Sequence, residues 1–427
     1  MREDHRDQPG ALGSPHRSRP HQVGKVGPRR ALPLYLPPTL VLRQLGSALL
    51  LARTTGWRGL PRWIASGGVR TLPVAAGAYG MGCIGYPAHP VWEITTACNS
   101  RCIHCHASSG EPMEGELTTA EGLALIDEIV KVREFRMLVF TGGEPLVRSD
   151  LLELCRYGTR RGLSIVIASN GMLLDRGKAR ELRKAGVRGM AISLDSCDAE
   201  VHNHIRSLPD AYDRALEGMA HAKKEAMVLQ VNFTATRHNL GDLERTIAMV
   251  STLGADIMLV YQLVEVGRGS ALGSLALSKE ENRQVGEIIK KAQKKALMVI
   301  EPVASPQYWP LLLDGRGEPS PGKLRLARPF FHGCTAGRGF VYIKADGEVW
   351  PCPFVEVSAG NVRERPFHEI WRQASLFRDL RSRKLLKGRC GECTMHEICG
   401  GCRGRAHAAT GDYMAEDPHC YFLEKEE

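Results

Sequence analysis

The run Thr96-Ala97-Cys98-Asn99-Ser100-Arg101-Cys102-Ile103-His104-Cys105 sets three cysteines at the spacing C-x3-C-x2-C, directly after an apolar, strand-like stretch. Three thiolates on one tight loop can hold three irons of a 4Fe-4S cube and leave the fourth open to a further ligand. A structural zinc loop is the competing reading, but zinc wants a fourth closing ligand nearby.

Downstream, Leu117-Thr118-Thr119-Ala120-Glu121 has the capping-box spacing, Thr118 to Glu121, that opens an amphipathic helix running to about Val132. A strand, Met137 to Phe140, then enters Thr141-Gly142-Gly143-Glu144-Pro145. The two glycines permit positive φ and close backbone approach to a ligand, and Glu144 offers a carboxylate to a cationic amine. As an isolated string the same residues are an ordinary turn. The rhythm continues with a strand from Leu163 to Ala168 ending in Ser169-Asn170-Gly171, and a basic helix pattern from Asp175 to Ala185-Gly186. Next come a strand from Met190 to Asp195, then His202, His204 and Arg206, and further strands over Leu229 to Ala235 and Met258 to Val264. Strands alternating with helices predict βαβ units and a parallel sheet, with ligand groups at the carboxyl ends of strands. Ser169, Asn170, Ser193 and Asp195 occupy such ends, although each residue type also caps helices and lines turns.

A second cysteine system follows: Cys334, Cys352, the run Cys390-x2-Cys393-x5-Cys399-x2-Cys402, and Cys420. This density, without a secretory signal, suits metal binding better than disulfides. Cys83, Cys155 and Cys197 remain; Cys155, beside Leu151, Leu152 and Leu154, reads as a small buried hydrophobe.

The chain has 427 residues, 43% hydrophobic and 24% charged, enough for a large core and two or three domains. Thirteen cysteines acting as thiolates require a reducing compartment, so a cytoplasmic location is expected. The most apolar stretch, Leu32 to Ala52, is broken by Pro33, Pro37, Pro38, Arg43 and Gln44 and does not read as a membrane span. Residues 1–90 hold twelve Lys/Arg and three acids, and so carry nearly all of the formal +10, leaving the remainder close to neutral. Residues 1–38 read as a disordered basic tail and 39–89 as a basic amphipathic extension. Leu42, Leu45 and Leu49 fall on one side of the Leu40 to Arg53 stretch, and Trp57 and Trp63 interleave with Arg58 and Arg62. That pattern fits a peripheral membrane-surface contact through residues 40–70, or a helix packed on the outside of the barrel. No nucleic-acid module is present, and a basic tail alone does not imply one.

Taken together, the cysteine triad and the Gly-Gly-Glu-Pro turn one βα unit later resemble the radical S-adenosylmethionine (SAM) superfamily. In that family the amino and carboxylate groups of SAM chelate the open iron. One electron then cleaves a carbon–sulfur bond of SAM, and the resulting 5'-deoxyadenosyl radical abstracts hydrogen from an unactivated carbon. The resemblance implies an α/β fold: a partial (β/α)6 TIM-like barrel over residues 90–310. It assigns Gly142, Gly143 and Glu144 to the SAM amino group, Ser169, Asn170, Ser193 and Asp195 to the ribose and carboxylate, and Arg206 to the carboxylate. Residues 311–427 resemble the cysteine-rich SPASM extension, which carries one or two auxiliary 4Fe-4S clusters. By position, Cys390, Cys393, Cys399 and Cys420 would close one cluster; Cys334, Cys352 and Cys402 would hold the other, one thiolate short. With Cys98, Cys102 and Cys105, this implies three cubanes, about twelve irons per chain.

Pro353 follows Cys352 where anaerobic sulfatase maturases carry an acidic base, which argues against peptide serine oxidation of that kind. The stretches Gly360 to Glu364, Pro366 to Trp371, Cys399 to Ala406 and Gly411 to Pro418 resemble the tetrapyrrole-modifying branch, which includes the alternative heme pathway and heme d1 biosynthesis. The resemblance runs from Pro90 to Tyr421. Several peptide maturases share the Cys-Gly-Gly-Cys-Arg region, and residues 1–89 match neither. The implied activity is decarboxylation or removal of side chains of an iron tetrapyrrole in heme biosynthesis, with Arg206, Arg268 or Arg338 as candidate partners for substrate carboxylates and a ferredoxin or flavodoxin as electron donor. The alternatives are a peptide or protein maturase that cross-links or oxidises its substrate, and a lipid-modifying radical enzyme. A non-catalytic iron–sulfur electron carrier would explain the cysteines but not Gly142 to Pro145.

Overall fold

Runs such as Ser-Ile-Val-Ile-Ala-Ser and Met-Leu-Val-Phe-Thr, apolar on both faces, form the interior of one parallel sheet. The computed structural model describes residues 88–135, 137–293, 296, 298–314, 320–327 and 333–422. The tail 1–38, Cys83 and nearly all of the 39–89 extension, including the 40–70 segment considered for membrane contact, lie outside the described residues. Among the described residues no helix is long and apolar enough to cross a membrane.

The strands are β1 (His89–Glu93), β2 (Met137–Thr141), β3 (Ser164–Ser169), β4 (Val187–Ser193), β5 (Val228–Ala235), β6 (Ile257–Gln262), β7 (Val299–Val303), β8 (Phe340–Ile343) and β9 (Val349–Trp350). Their order is β7-β6-β5-β4-β3-β2-β1-β8-β9, parallel throughout except for the β8–β9 pair. The sheet ends at β7 and β9, so strand pairing does not close the ring, which is the partial barrel expected. Pro302, which has no amide hydrogen to give, sits in the edge strand β7, where a lost ladder bond costs least.

Alternate residues face opposite ways along each strand. Leu138 and Phe140 of β2 join the large core under the helices, while Met137 and Val139 meet Val91, Val166, Val228 and Tyr342 on the other face. Each fully buried side chain of this kind contributes roughly 1.5–3 kcal/mol. The predicted capping box is present: Thr118 Oγ1 accepts from the Glu121 amide at 3.3 Å, and the Glu121 carboxylate accepts from the Thr118 amide at 2.8 Å. The helix it opens spans Thr119–Val130. Gly122 lets that helix lie against Trp92, whose ring is 2.6 Å from where a Cβ would stand.

Strand β8 comes from the cysteine-rich part of the chain yet pairs with β1 over His89↔Phe340 to Trp92↔Ile343. Across this pair the Tyr342 hydroxyl donates to the buried Glu93 carboxylate. On the outside, Arg363 forks onto Glu121, the Trp371 indole donates to Glu134 at 3.0 Å, and Phe135 meets the Trp371 ring at 5.0 Å. The barrel and the C-terminal portion therefore share both a sheet and a core.

Candidate cluster and cofactor site

The cysteine loop leaves the carboxyl end of β1 and is held from several directions. Glu116 accepts from the Thr96 amide at 2.7 Å and from both threonine hydroxyls, Thr95 and Thr96, at 3.1 Å. The Arg268 guanidinium donates to the Cys102 carbonyl at 2.9 Å and the Ser109 carbonyl at 2.7 Å, and its amide donates to the Cys105 carbonyl at 2.9 Å. Arg268 thus gives its amide, Nε and Nη1 to the loop backbone while its side chain still lines the cavity.

The Gly142-Gly143 turn closes on the same loop. A Cβ at Gly142, where φ is +149°, would stand 2.2 Å from the Thr95 carbonyl, and one at Gly143 would stand 2.2 Å from the Ala97 carbonyl. Those carbonyls accept from the Gly143 and Glu144 amides at 2.8 Å each. The expected close approach is therefore met first by the protein's own backbone.

Glu144 is fully buried: its carboxylate accepts from Ser169 Oγ at 2.8 Å, the Asn170 amide at 2.8 Å and the Leu146 amide at 3.0 Å. Burial pushes its carboxyl above the usual range despite these bonds. It stands behind the cavity wall, fixing the end of β3, while Gly142, Gly143, Ser169, Asn170, Ser193 and Arg206 line the cavity itself. Asp195 also lies behind the wall: one oxygen accepts from the Thr234 amide at 3.0 Å, and the other pairs with Arg206 at 2.6 Å. Burial raises the Asp195 carboxyl, but the Arg206 charge, together with His104, His202 and the Thr234 amide, more than offsets it and holds the group below the ordinary carboxylate range. Burial takes His104 and His106 down to about 4, so both imidazoles are neutral at physiological pH.

The cavity measures about 280 Å³. Cys98, Cys102 and Cys105 line one part of it, and Cys334, Cys352 and Cys402 also reach it from the C-terminal portion. Apolar groups line the same cavity, among them Val91, Val139 and Phe340 of the sheet and Phe354 of the turn after Cys352. Pro353, next to Cys352, lines the cavity too. Cys390, Cys393, Cys399 and Cys420 surround a separate space of about 20 Å³, room for a compact group and not for a substrate.

Sequence reasoning missed the junction between these two C-terminal sets. Asp417 accepts from the Cys402 amide at 2.7 Å, from Arg405 at 2.9 Å through two nitrogens, and from Gln307 at 2.7 Å. Its own amide donates to Cys390 Sγ at 3.4 Å, and Arg405 reaches on to Gln262 of β6 at 2.9 Å. Only the spacing of Asp417 beyond the last cysteine pair hinted at this in the sequence. Cys155 is buried in the core, as expected, and Cys197 is half-buried; neither lines the cavity.

The donor set fits iron–sulfur clusters. All twelve described cysteines are free of disulfides. Amides point at several of the sulfurs: Met395 N–H to Cys393 at 3.4 Å, Gly401 N–H to Cys399 at 3.5 Å and Arg405 N–H to Cys402 at 3.5 Å. Donors of this sort stabilise cluster thiolates. Burial pushes the Cys98, Cys402 and Cys420 thiols up to about 11, so a bound metal is needed to make them thiolates near neutrality. Among the described residues no three His, Cys or carboxylate groups converge closely enough for a single ion.

A partial parallel barrel whose glycine turn, strand ends and thiol loop meet at one cavity defines an enzyme class built on a cluster and a small cofactor. Residues 92–250 match the family described as the Radical SAM superfamily, and residues 334–403 the one described as Iron-sulfur cluster-binding domain, SPASM. An AdoMet-dependent heme synthase of Methanosarcina barkeri is 38% identical over 335 residues, covering 78% of this chain and 95% of the relative. A Fe-coproporphyrin III synthase of the same organism is 35% identical over 354 residues, covering 79% and 88%. The crystal structure of Streptococcus suis SuiB bound to precursor peptide SuiA shares the fold, with a TM-score of 0.63 at 17% identity over 86% of this chain and 81% of that one. The chain belongs to the radical SAM superfamily, with a SPASM portion at its C-terminal end. It is an enzyme of that type, and its cofactors are 4Fe-4S clusters and S-adenosylmethionine.

Proposed function

We propose that this enzyme modifies carboxylate-bearing side chains of an iron tetrapyrrole in heme biosynthesis, by decarboxylating or removing them. The observation that carries the reading is identity of 38% to a heme synthase across 95% of that relative's length. The cavity agrees with it, since its apolar inner-sheet wall suits a flat hydrophobic ligand and its strand-end amides and hydroxyls suit a polar cofactor.

In this reading Cys98, Cys102 and Cys105 hold the SAM-binding cluster. Cys390, Cys393, Cys399 and Cys420 hold one auxiliary cluster, and Cys334, Cys352 and Cys402 hold another. When bound, a 4Fe-4S cluster with SAM supplies one-electron cleavage of the sulfonium and, through it, hydrogen abstraction from an unactivated carbon. The chain's own residues position and exclude. Gly142 and Gly143 bring backbone to the cofactor's amino end, and Ser169, Asn170 and Ser193 present hydrogen-bonding groups along the strand ends. Glu144 and Asp195 act from behind the wall by fixing Ser169, Asn170 and Arg206. Val91, Val139, Phe340 and Phe354 keep water from the cavity.

The same reading divides the chain into a barrel over 90–310 and a SPASM portion over 311–427, with 1–38 as a basic tail and 39–89 as an amphipathic extension that touches a membrane surface through 40–70. A cytoplasmic ferredoxin or flavodoxin supplies the electron. The test is anaerobic incubation of reconstituted enzyme with SAM, a reductant and candidate iron tetrapyrroles, followed by mass spectrometry of the product and measurement of 5'-deoxyadenosine. Loss of carboxyl mass from a tetrapyrrole supports the proposal. Turnover of a short peptide with no tetrapyrrole product would replace it with a maturase.

A further inference from the structure

The guanidinium of Arg206 is placed in an unexpected way. Arg206 ends the helix Ala199–Arg206, and that end is bolted to the cysteine loop: Ser100 Oγ donates to the Arg206 carbonyl at 2.7 Å, and the Ile103 amide donates to the Ile205 carbonyl at 3.0 Å. From there Nη2 pairs with Asp195 at 2.6 Å and Nη1 donates to Cys102 Sγ at 3.6 Å. The Ser100 hydroxyl also lies 3.2 Å from Cys102 Sγ. Among the described residues no side chain donates to Cys98 or Cys105. Only Nε of the guanidinium lacks a hydrogen-bond partner. Nη1 and Nη2 are thus each already engaged before any cofactor carboxylate arrives, each with a second N–H in hand.

We infer that Arg206, oriented by Asp195 and seated by the Ser100 bond to its carbonyl, sets the reduction potential of the cluster on Cys98, Cys102 and Cys105 by donating to the Cys102 sulfur. This rests on the assignment of those three cysteines as cluster ligands. A positive donor on a cluster thiolate stabilises the reduced, more negative cube, and hydrogen bonds to sulfur are among the determinants of cluster potential. Asp195, sharing the same guanidinium, offsets part of that charge. Arg206 and Asp195 consequently pull the potential in opposite directions, which a merely structural pair would not do.

The experiment is an anaerobic redox titration of the full-length reconstituted enzyme without SAM, followed by electron paramagnetic resonance. The signal of the N-terminal cluster is isolated as the difference from Cys98→Ala protein. Arg206→Gln should shift this cluster to a more negative potential. The expected fall is about tenfold in the reduced-to-oxidised ratio at a fixed poise, equivalent to about 59 mV for one electron. Asp195→Asn should move it to a more positive potential, and Arg206→Lys should restore part of the Arg206→Gln loss. Unchanged potentials in Arg206→Gln together with weakened SAM binding by equilibrium dialysis would overturn the inference and make Arg206 a cofactor ligand. Shifts of Asp195→Asn and Arg206→Gln in the same direction would overturn it as well. If Arg206→Gln fails to load iron, Asp195→Asn decides the matter by the sign of its shift, a positive one supporting the inference and a zero or negative one overturning it. Wild-type enzyme with no signal in the difference spectrum would sink the ligand assignment itself, a separate outcome.

Discussion

Two buried arginine–aspartate pairs stand beside the two cysteine regions, and they are finished to different degrees. Asp417, at the C-terminal thiols, receives Arg405, Gln307 and the Cys402 amide, and Arg405 is anchored in turn on Gln262. Asp195, at the N-terminal loop, takes one amide and Arg206, and Arg206 keeps Nε without a partner while facing the cavity. The first pair is a saturated joint and the second is part of a wall that still has something to bind. A buried network is most rigid when every member is satisfied. The difference separates a region that holds itself together from one that receives a cofactor.

The sharpest way to break the comparison is to remove thiols from each region. Cys105→Ala is expected to abolish 5'-deoxyadenosine release, whereas Cys390→Ala should keep some release but lose tetrapyrrole product, both read by chromatography of single reactions. Equal loss in the two variants would erase the functional distinction between the regions.

Removing the joint comes next. Asp417→Ala leaves Arg405 buried without its counter-ion, a change that costs about 3–5 kcal/mol. Thermal unfolding should show this loss, and iron analysis should show depletion of the C-terminal sites while the N-terminal cluster signal persists. A variant with full iron content and unchanged melting would show that the joint is dispensable.

Gly143→Ala probes the receiving side. The added methyl meets the Ala97 carbonyl at 2.2 Å, backbone that cannot swing away. Overpacking of this kind costs about 1–3 kcal/mol, and here it falls on the cysteine loop. SAM binding should weaken more than it does in Gly162→Ala, where φ is +87° but the space around the new methyl is open.

The smallest effect concerns the outer seam between the regions. The Arg363 side chain, by its hydrogen bonds to Glu121, holds that carboxyl down at about 2, against an ordinary value of 4.5. A depressed folded pKa means the tie is fully present above about pH 4.5 and is lost as pH falls towards 2. This pair is well exposed, so its contribution is no more than about 1 kcal/mol. Glu121→Gln should lower stability by up to about 1 kcal/mol at neutral pH, the difference from wild type vanishing as pH falls towards 2, as measured by denaturant midpoints.

Much of this was legible in the chain because it is written in local spacing. C-x3-C-x2-C, the Thr118–Glu121 box and the doubly apolar strands carry their own periodicity, so the thiol loop, the first helix and the barrel strands fall close to where they were expected. The strand from Met190 was placed late; it begins at Val187. What could not be read are polar contacts between residues far apart in sequence. Nothing near Glu144 says that its carboxylate turns inward to Ser169 and Asn170, nothing near Arg268 says that it clamps the Cys102 carbonyl, and Tyr342 finds Glu93 across most of the described chain. Such pairs have no repeat to betray them. The meeting of Cys334, Cys352 and Cys402 with the first triad around one cavity is likewise a product of topology.

The place of β1 has a consequence for synthesis. It lies between β2 and β8, so one of its flanks stays open until residues 340–343 have left the ribosome. The loop that follows β1 is clamped by Glu116, by the helix end at Arg206 and by Arg268, each emerging in turn. Contacts spanning such long stretches of chain form late and slowly. A nascent polypeptide therefore presents its first three thiols well before their housing exists, and metal loading of that loop belongs after translation rather than during it.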